Sequence, residues 1–122
     1  MAKKILVVDD EEDVLLVLEA RLQSQGYEVL TESDGMSGLA RARHEKPDLI
    51  ILDVMLPKLD GYKVCRMLKF DDLYRHIPII LLTARVQEND RKTGSEQGAD
   101  AYLTKPFDAA QLLAEIKTLL KT

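Results

Sequence analysis

Four short apolar runs, each followed by a polar functional group, constrain the fold of this chain most strongly. The runs cover residues 5–8, 49–52, 79–82 and 102–104, and the groups at their ends belong to Asp9, Asp10, Asp53, Thr83 and Lys105. A carboxylate at the edge of a buried strand loses solvation, so it is normally paired or bound to a metal. Three acids, an alcohol and an amine at strand ends therefore predict a site for a divalent metal and a phosphoryl group.

Longer amphipathic segments separate the apolar runs, and this alternation is typical of a parallel sheet flanked by helices. Gly26 is placed to stop the first helix, and Asp108 to cap the last. We find no repeat or linker, so we expect one α/β domain over residues 1–122, a three-layer doubly wound (βα)5 sandwich with right-handed crossovers. The pattern predicts strands near 3–8, 27–32, 48–52, 78–82 and 100–104, and helices near 11–25, 35–45, 61–71, 87–97 and 108–121.

In a doubly wound sheet the ligand lies beyond the carboxyl ends of the strands, so the five polar groups are expected to converge. Three carboxylates in one crevice repel each other unless a cation intervenes, and Mg²⁺ prefers such oxygen ligands. Asp53 then offers a nucleophile for phosphoryl transfer. The metal, the Lys105 ammonium and the Thr83 hydroxyl are placed to neutralise the phosphoryl oxygens.

Composition excludes several other classes of function. The net charge of -4 and the lack of a basic stripe argue against direct nucleic-acid binding. Cys65 is the only cysteine, which excludes an intramolecular disulfide and favours a packing role. No apolar stretch is long enough to span a membrane and no secretory signal is visible, so we expect a cytoplasmic protein. Flavin and dinucleotide binders carry a glycine-rich turn after the first strand, whereas this chain carries acidic residues there. These residues would repel the phosphates of such a cofactor, so they argue against flavin or dinucleotide binding.

Five motifs, in order along the chain, resemble the receiver domain of bacterial two-component response regulators. Each motif alone is weak, but their order and spacing together are highly specific, and they cover essentially all 122 residues. The motifs are Ile5–Glu11, Asp48–Pro57, Asp60–Gly61, Pro78–Ala84 and Gly98–Phe107. The resemblance implies a flavodoxin-like fold with strand order 2-1-3-4-5.

The resemblance also implies roles for the acidic residues. Asp53 would be the phospho-acceptor, receiving its phosphoryl group from a histidine kinase or a phosphotransfer protein. Asp10 and Asp53 would bind Mg²⁺ directly, Asp9 would act mainly through water, and the Met55 carbonyl would complete the protein ligands.

A switch follows from the same resemblance. Lys105 would hold the phosphoryl group, Thr83 would swing toward it, and Tyr102 would change rotamer in step. The Lys105–Pro106 peptide bond would be cis. Residues 93–95 are poor helix formers, so we expect the predicted helix at 87–97 to change conformation most easily. We expect partners to bind a surface made of this helix, the fifth strand and the last helix. Arg85 is a further candidate for contact with the phosphoryl group.

Three functions compete at this point. The first is a phosphorylation-controlled switch acting on a downstream effector protein or domain, as a monomer or a phosphorylation-dependent dimer. The second is a metal-dependent phosphatase with an aspartyl intermediate, and the third is an adaptor that is not phosphorylated. Asp100-Ala101 replaces the Asp-Asp pair of many transcription-factor receivers, and residues 68–78 resemble stand-alone or relay receivers. The excised receiver of a DNA-binding regulator stays an alternative.

Overall fold

The computed structural model describes residues 2–83 and 98–121, and these form a five-stranded parallel sheet with flanking helices. The strand order is β2-β1-β3-β4-β5, which confirms the predicted fold class. Arg85 and the predicted helix at 87–97 lie outside the described residues. The strands are β1 (Lys4–Val8), β2 (Glu28–Glu32), β3 (Leu49–Asp53), β4 (Ile79–Thr83) and β5 (Ala101–Thr104), and the described helices are α1 (Glu12–Ser24), α2 (Gly35–Glu45), α3 (Gly61–Lys69) and α4 (Ala109–Leu120).

The central strands are apolar throughout because both faces of the sheet are covered. Alternate residues of β1 and β3 contribute to two separate buried clusters. One cluster joins Leu6, Val8, Ile50 and Leu52 to side chains of α2 and α3. The other joins Ile5, Val7, Leu49 and Ile51 to side chains of α1 and α4. The continuous apolar runs that predicted a parallel sheet are thus the middle layer of the sandwich.

Both predicted helix signals are confirmed. Gly26 follows the C-cap of α1 with φ 91°, a left-handed conformation that glycine adopts without steric cost. Asp108 caps α4 by accepting a hydrogen bond from the Ala110 amide at 2.8 Å. In the part of the chain that the model describes, no helix is long and apolar enough to cross a membrane.

The ends of two strands differ from the prediction in a way that matters for the site. β3 and β4 extend by one residue each, so Asp53 and Thr83 belong to their strands. Asp53 pairs with Leu82 in register, and the Val54 amide donates to the Leu82 carbonyl at 2.9 Å. These hydrogen bonds hold the Asp53 backbone in the sheet, because the ladder between β3 and β4 continues past the apolar run.

Gly61 fixes the start of α3 against the end of β3. A Cβ atom at this position would collide with the Asp53 carbonyl oxygen and lie 2.9 Å from the Val54 Cα. The Gly61 amide donates to the Val54 carbonyl at 2.9 Å, and the Asp60 side chain caps α3 through the Lys63 amide. The Asp60–Gly61 motif therefore serves a close approach between the helix and the loop that follows Asp53.

Candidate metal and phosphoryl site

Three carboxylates meet at the carboxyl edge of the sheet. One oxygen from each of Asp9, Asp10 and Asp53 lies within 4.8 Å of the others. β1 and β3 are neighbours, with Val8 opposite Leu52, so the residues that follow them are brought side by side. The predicted convergence of these acids is confirmed, although Asp53 is more than forty positions from Asp9 and Asp10 in the sequence.

Two of the three acids are held rigidly by the backbone. Asp9 is fully buried and Asp53 is 3% exposed, whereas Asp10 is exposed. Asp9 Oδ1 accepts a hydrogen bond from the Glu11 amide at 2.9 Å, and Asp53 Oδ1 accepts one from the Met55 amide at 3.2 Å. Each buried carboxylate thus has one oxygen bound to the backbone and the other directed toward the site.

The Lys105 ammonium lies among these acids. Its Nζ is 2.7 Å from Asp9 Oδ2, 3.3 Å from Asp53 Oδ2 and 3.3 Å from Glu11 Oε1. Lys105 follows β5 directly, its amide donates to the Thr83 carbonyl at 2.6 Å, and its bond to Pro106 is cis, as predicted. Lys105 thus lies at the carboxyl end of β5, and its ammonium reaches the acids at the carboxyl ends of β1 and β3.

Burial and charge shift the acid–base properties of the site. Burial, together with the neighbouring Asp9 charge, raises the pKa of Asp53, although Lys105 and the Met55 amide partly oppose that rise. Burial alone would lower the pKa of Lys105, but contact with Asp9 and the charge of Asp53 outweigh it and raise the pKa. The site therefore has more negative charge than one ammonium offsets.

The donor set fits a hard divalent cation. Asp9 Oδ2 is buried, and among the described residues its polar partner is the Lys105 ammonium at 2.7 Å. A cation among the carboxylates would relieve their repulsion, and oxygen donors of this kind are typical of a Mg²⁺ site. Bound Mg²⁺ supplies neutralisation of phosphoryl oxygen charge.

The two predicted switch residues lie near this edge. Thr83 is 5% exposed at the end of β4, opposite Thr104 in register. Tyr102 is half-buried on β5, and its hydroxyl lies 3.2 Å from the Tyr62 hydroxyl. Thr83 lies at the carboxyl end of its strand, and the movements proposed for Thr83 and Tyr102 stay predictions.

Sequence reasoning missed two contributors. Glu11 had no predicted role of its own at the site, yet its carboxylate contacts Lys105. Tyr62 had no predicted role there either, yet its hydroxyl is hydrogen-bonded to that of Tyr102, forty positions away. Glu11 directly follows the acidic pair, and that position was an available signal. No local signal identifies Tyr62, because its partner is defined by the tertiary fold.

Comparison with known proteins agrees with this geometry. The response regulator receiver domain model matches residues 5–117. The chain is 51% identical to the alkaline phosphatase synthesis transcriptional regulatory protein PhoP of Bacillus subtilis over 99% of this chain and 50% of that protein. It is 48% identical to the response regulator PleD of Caulobacter vibrioides over 99% of this chain and 27% of that protein. The chain thus spans half or less of these curated relatives.

A solved structure gives the same fold with a metal. The receiver domain of the sensor histidine kinase PA1611 from Pseudomonas aeruginosa PAO1, which has a magnesium ion coordinated in its active site cleft, superposes with a TM-score of 0.91 at 34% identity, covering 100% of both chains. Receiver domains are phosphorylation switches in signal transduction that partner with histidine kinases, and they are not turnover enzymes. From its sequence match, its fold and its acidic Mg²⁺ site, this chain belongs to the response regulator receiver domain family.

Proposed function

We propose that this chain is a phosphorylation-dependent signalling switch in which Asp53 accepts the phosphoryl group. One observation carries the proposal: the Asp53 carboxylate lies both within 4.8 Å of the other two acids and 3.3 Å from the Lys105 ammonium. A nucleophile, a metal site and a fixed cation thus share one edge of the sheet. This combination suits phosphoryl transfer, which depends mainly on positioning and charge neutralisation.

In the proposed reaction, an Asp53 carboxylate oxygen attacks phosphorus as the bond to the donor breaks. The donor, a phosphorylated histidine or a small acyl phosphate, leaves with the electron pair, and an acyl phosphate forms on Asp53. The Met55 amide donates to Oδ1 at 3.2 Å and the Lys105 ammonium donates to Oδ2 at 3.3 Å. Oδ2 would become the attacking atom as the ammonium moves from it to the phosphoryl group. Asp10 and Asp53 would bind the metal directly with the Met55 carbonyl, and Asp9 would act through water.

Lys105 would exchange partners during this step. Its ammonium now contacts Asp9, Glu11 and Asp53, and a phosphoryl group adds up to about two negative charges beside it. A transferred phosphoryl group would attract the ammonium and the Thr83 hydroxyl, so the conformer in which both reach inward would gain population. Tyr102 would then change rotamer.

Partners follow from this chemistry. We infer that the phosphoryl donor is a histidine kinase or phosphotransfer protein. We infer that the effector is a protein or domain that binds the region of residues 87–97, β5 and α4. Because the chain spans half or less of its curated relatives, an output domain joined to this receiver is a second candidate for the effector. Stand-alone action, a cytoplasmic location and a phosphorylation-dependent dimer stay predictions.

Acetyl phosphate with Mg²⁺ tests the proposal directly. We expect one phosphoryl group per chain, stable in acid and labile in base, detected by intact mass. Asp53→Asn should abolish the adduct, because an amide cannot attack phosphorus to form an acyl phosphate. Asp48→Asn is the matched control, since Asp48 directly precedes the same strand at its opposite end and its side chain accepts a hydrogen bond from the Lys4 amide.

The same experiment separates the alternatives. Many turnovers on small phosphoesters would indicate a phosphatase, and an absent adduct in the wild-type chain would indicate an adaptor. An adduct that persists in Asp53→Asn would contradict the assignment of the acceptor.

A further inference from the structure

Two tyrosine hydroxyls meet beside the site, on different layers of the sandwich. Tyr62 lies in the first turn of α3 and Tyr102 lies in β5, and their hydroxyl oxygens are 3.2 Å apart. Both rings are half-buried and pack against the same apolar cluster. We propose that Tyr62 is a positioning residue that holds Tyr102 in its present orientation through this hydrogen bond; the inference rests on the switch proposed above.

The α3 end of this contact is fixed to the phospho-acceptor loop. Tyr62 directly follows Gly61, which has no room for a Cβ against the Asp53 carbonyl oxygen. The Gly61 amide donates to the Val54 carbonyl, and the Asp60 carboxylate accepts from the Lys63 amide at 3.0 Å. The Tyr62 backbone therefore has little freedom relative to Asp53.

The β5 end of the contact is close to the cation of the site. Tyr102 pairs with Leu81 in register and precedes Lys105 by three residues. A change of the Tyr102 rotamer would move its hydroxyl away from Tyr62, because the ring turns about a backbone that the sheet holds in place. Rotation thus requires that the hydrogen bond be broken.

The hydrogen bond should therefore favour the conformer described here, in which Lys105 is engaged by the acids. A neutral hydrogen bond of this kind corresponds to a change of about two- to twelvefold in an equilibrium constant. Removing one hydroxyl should make rotation easier by that factor, and a ligand that selects the rotated conformer should bind more tightly by the same factor.

A double-mutant cycle tests this coupling. Beryllofluoride with Mg²⁺ is the probe, since it mimics a phosphoryl group on an aspartate. We expect Tyr62→Phe and Tyr102→Phe each to tighten apparent beryllofluoride binding by about two- to twelvefold, and the double variant to gain no more than either single variant. The proposal would be overturned if the factors of the two single variants multiplied in the double variant, or if Tyr62→Phe left beryllofluoride binding unchanged.

Ring resonances of ¹³Cδ-labelled tyrosine give a readout that a purely structural role would not produce. In the chain without beryllofluoride, Tyr62→Phe should move the Tyr102 resonance toward the position that it has with beryllofluoride. Tyr74→Phe is the matched control, because Tyr74 packs against the same cluster outside the hydroxyl pair. An unmoved Tyr102 resonance in Tyr62→Phe, or an equal movement in Tyr74→Phe, would overturn the positioning role.

Failure of this proposal is distinguishable from failure of the proposed function. The acetyl phosphate adduct, measured on each variant, reports whether Asp53 is phosphorylated at all. The Tyr102 ring resonance of the unphosphorylated chain reports the Tyr62–Tyr102 contact, whether or not the acetyl phosphate adduct can form.

Discussion

Each end of the sheet carries a lysine whose ammonium contacts aspartate, but the two arrangements differ in charge balance. At the amino end, Lys69 Nζ donates to the Arg75 carbonyl at 2.8 Å, the Ile77 carbonyl at 2.9 Å and Asp100 Oδ2 at 2.9 Å. The same Asp100 oxygen accepts from the Ile79 amide. At the carboxyl end, Lys105 faces several carboxylates and no described backbone carbonyl is hydrogen-bonded to its ammonium.

This difference separates a lysine that stabilises the fold from a lysine that belongs to the candidate ligand site. An ammonium has three N–H donors, and those of Lys69 are all used by fixed acceptors from the connection between α3 and β4 and from the start of β5. Lys105 instead offsets only part of the negative charge of the carboxylates around it, and a bound divalent cation would offset the rest. Similar residue types therefore produce rigidity at one end and ligand binding at the other.

The largest effect on stability should come from replacing Lys69, whose three N–H donors are all hydrogen-bonded. Lys69→Met would leave two carbonyls without this donor and would remove the ion pair with Asp100, whose Oδ2 keeps only the Ile79 amide. We expect the free energy of unfolding to fall by about 2–4 kcal/mol in urea titrations. Lys63→Met is the control, because Lys63 is 71% exposed and its pair with Asp60 is 3.8 Å long. We expect the free energy of unfolding of the control to fall by no more than about 0.5 kcal/mol, and an equally small fall in Lys69→Met would contradict this role for Lys69.

Magnesium should distinguish the two ends. At ten times its dissociation constant, Mg²⁺ should raise the free energy of unfolding of the wild-type chain by about 1.4 kcal/mol, since it binds the folded acids. Asp53→Asn should lose most of that gain, and Lys69→Met should keep it, which thermal unfolding with and without Mg²⁺ will measure. Equal gains in both variants would place the bound metal away from Asp53.

A smaller effect is expected from pH in metal-free buffer. The pKa of Asp53 is raised from its ordinary value of 3.8, so its ionisation opposes folding. Its favourable contribution is complete below pH 3.8 and is lost as the pH rises through the raised pKa. Compared with the wild-type chain, Asp53→Asn should therefore become relatively more stable as the pH increases from acid to neutral, as measured by urea unfolding at each pH. A stability difference that does not change with pH would contradict the raised pKa.

Particular residues show how far the sequence predicted this protein. The apolar runs predicted the strands within about a residue, and their polar ends predicted the convergence of Asp9, Asp53 and Lys105, because parallel strands deliver their carboxyl ends to one edge. Cys65 was predicted to pack in the core, and it is buried, with the pKa of its thiol raised by burial to about 12.

Other features were beyond sequence reasoning. The Lys69–Asp100 pair joins residues 31 positions apart, and the Tyr62–Tyr102 pair joins residues 40 positions apart. Both pairs consist of ordinary residue types with several possible partners. Only the packing of α3 against the sheet determines which of those partners each residue contacts.

The order of apolar runs and polar ends by itself determined the layers of this protein and the edge at which its acids, hydroxyl and amine assemble, because hydrophobic burial and strand direction act on pattern alone. The tertiary structure decided which oxygen of each buried carboxylate is bound to the backbone, which acids the Lys105 ammonium contacts and which hydroxyl faces Tyr102. Those outcomes depend on distances of a few ångströms between distant segments, and such distances exist only after the core has packed.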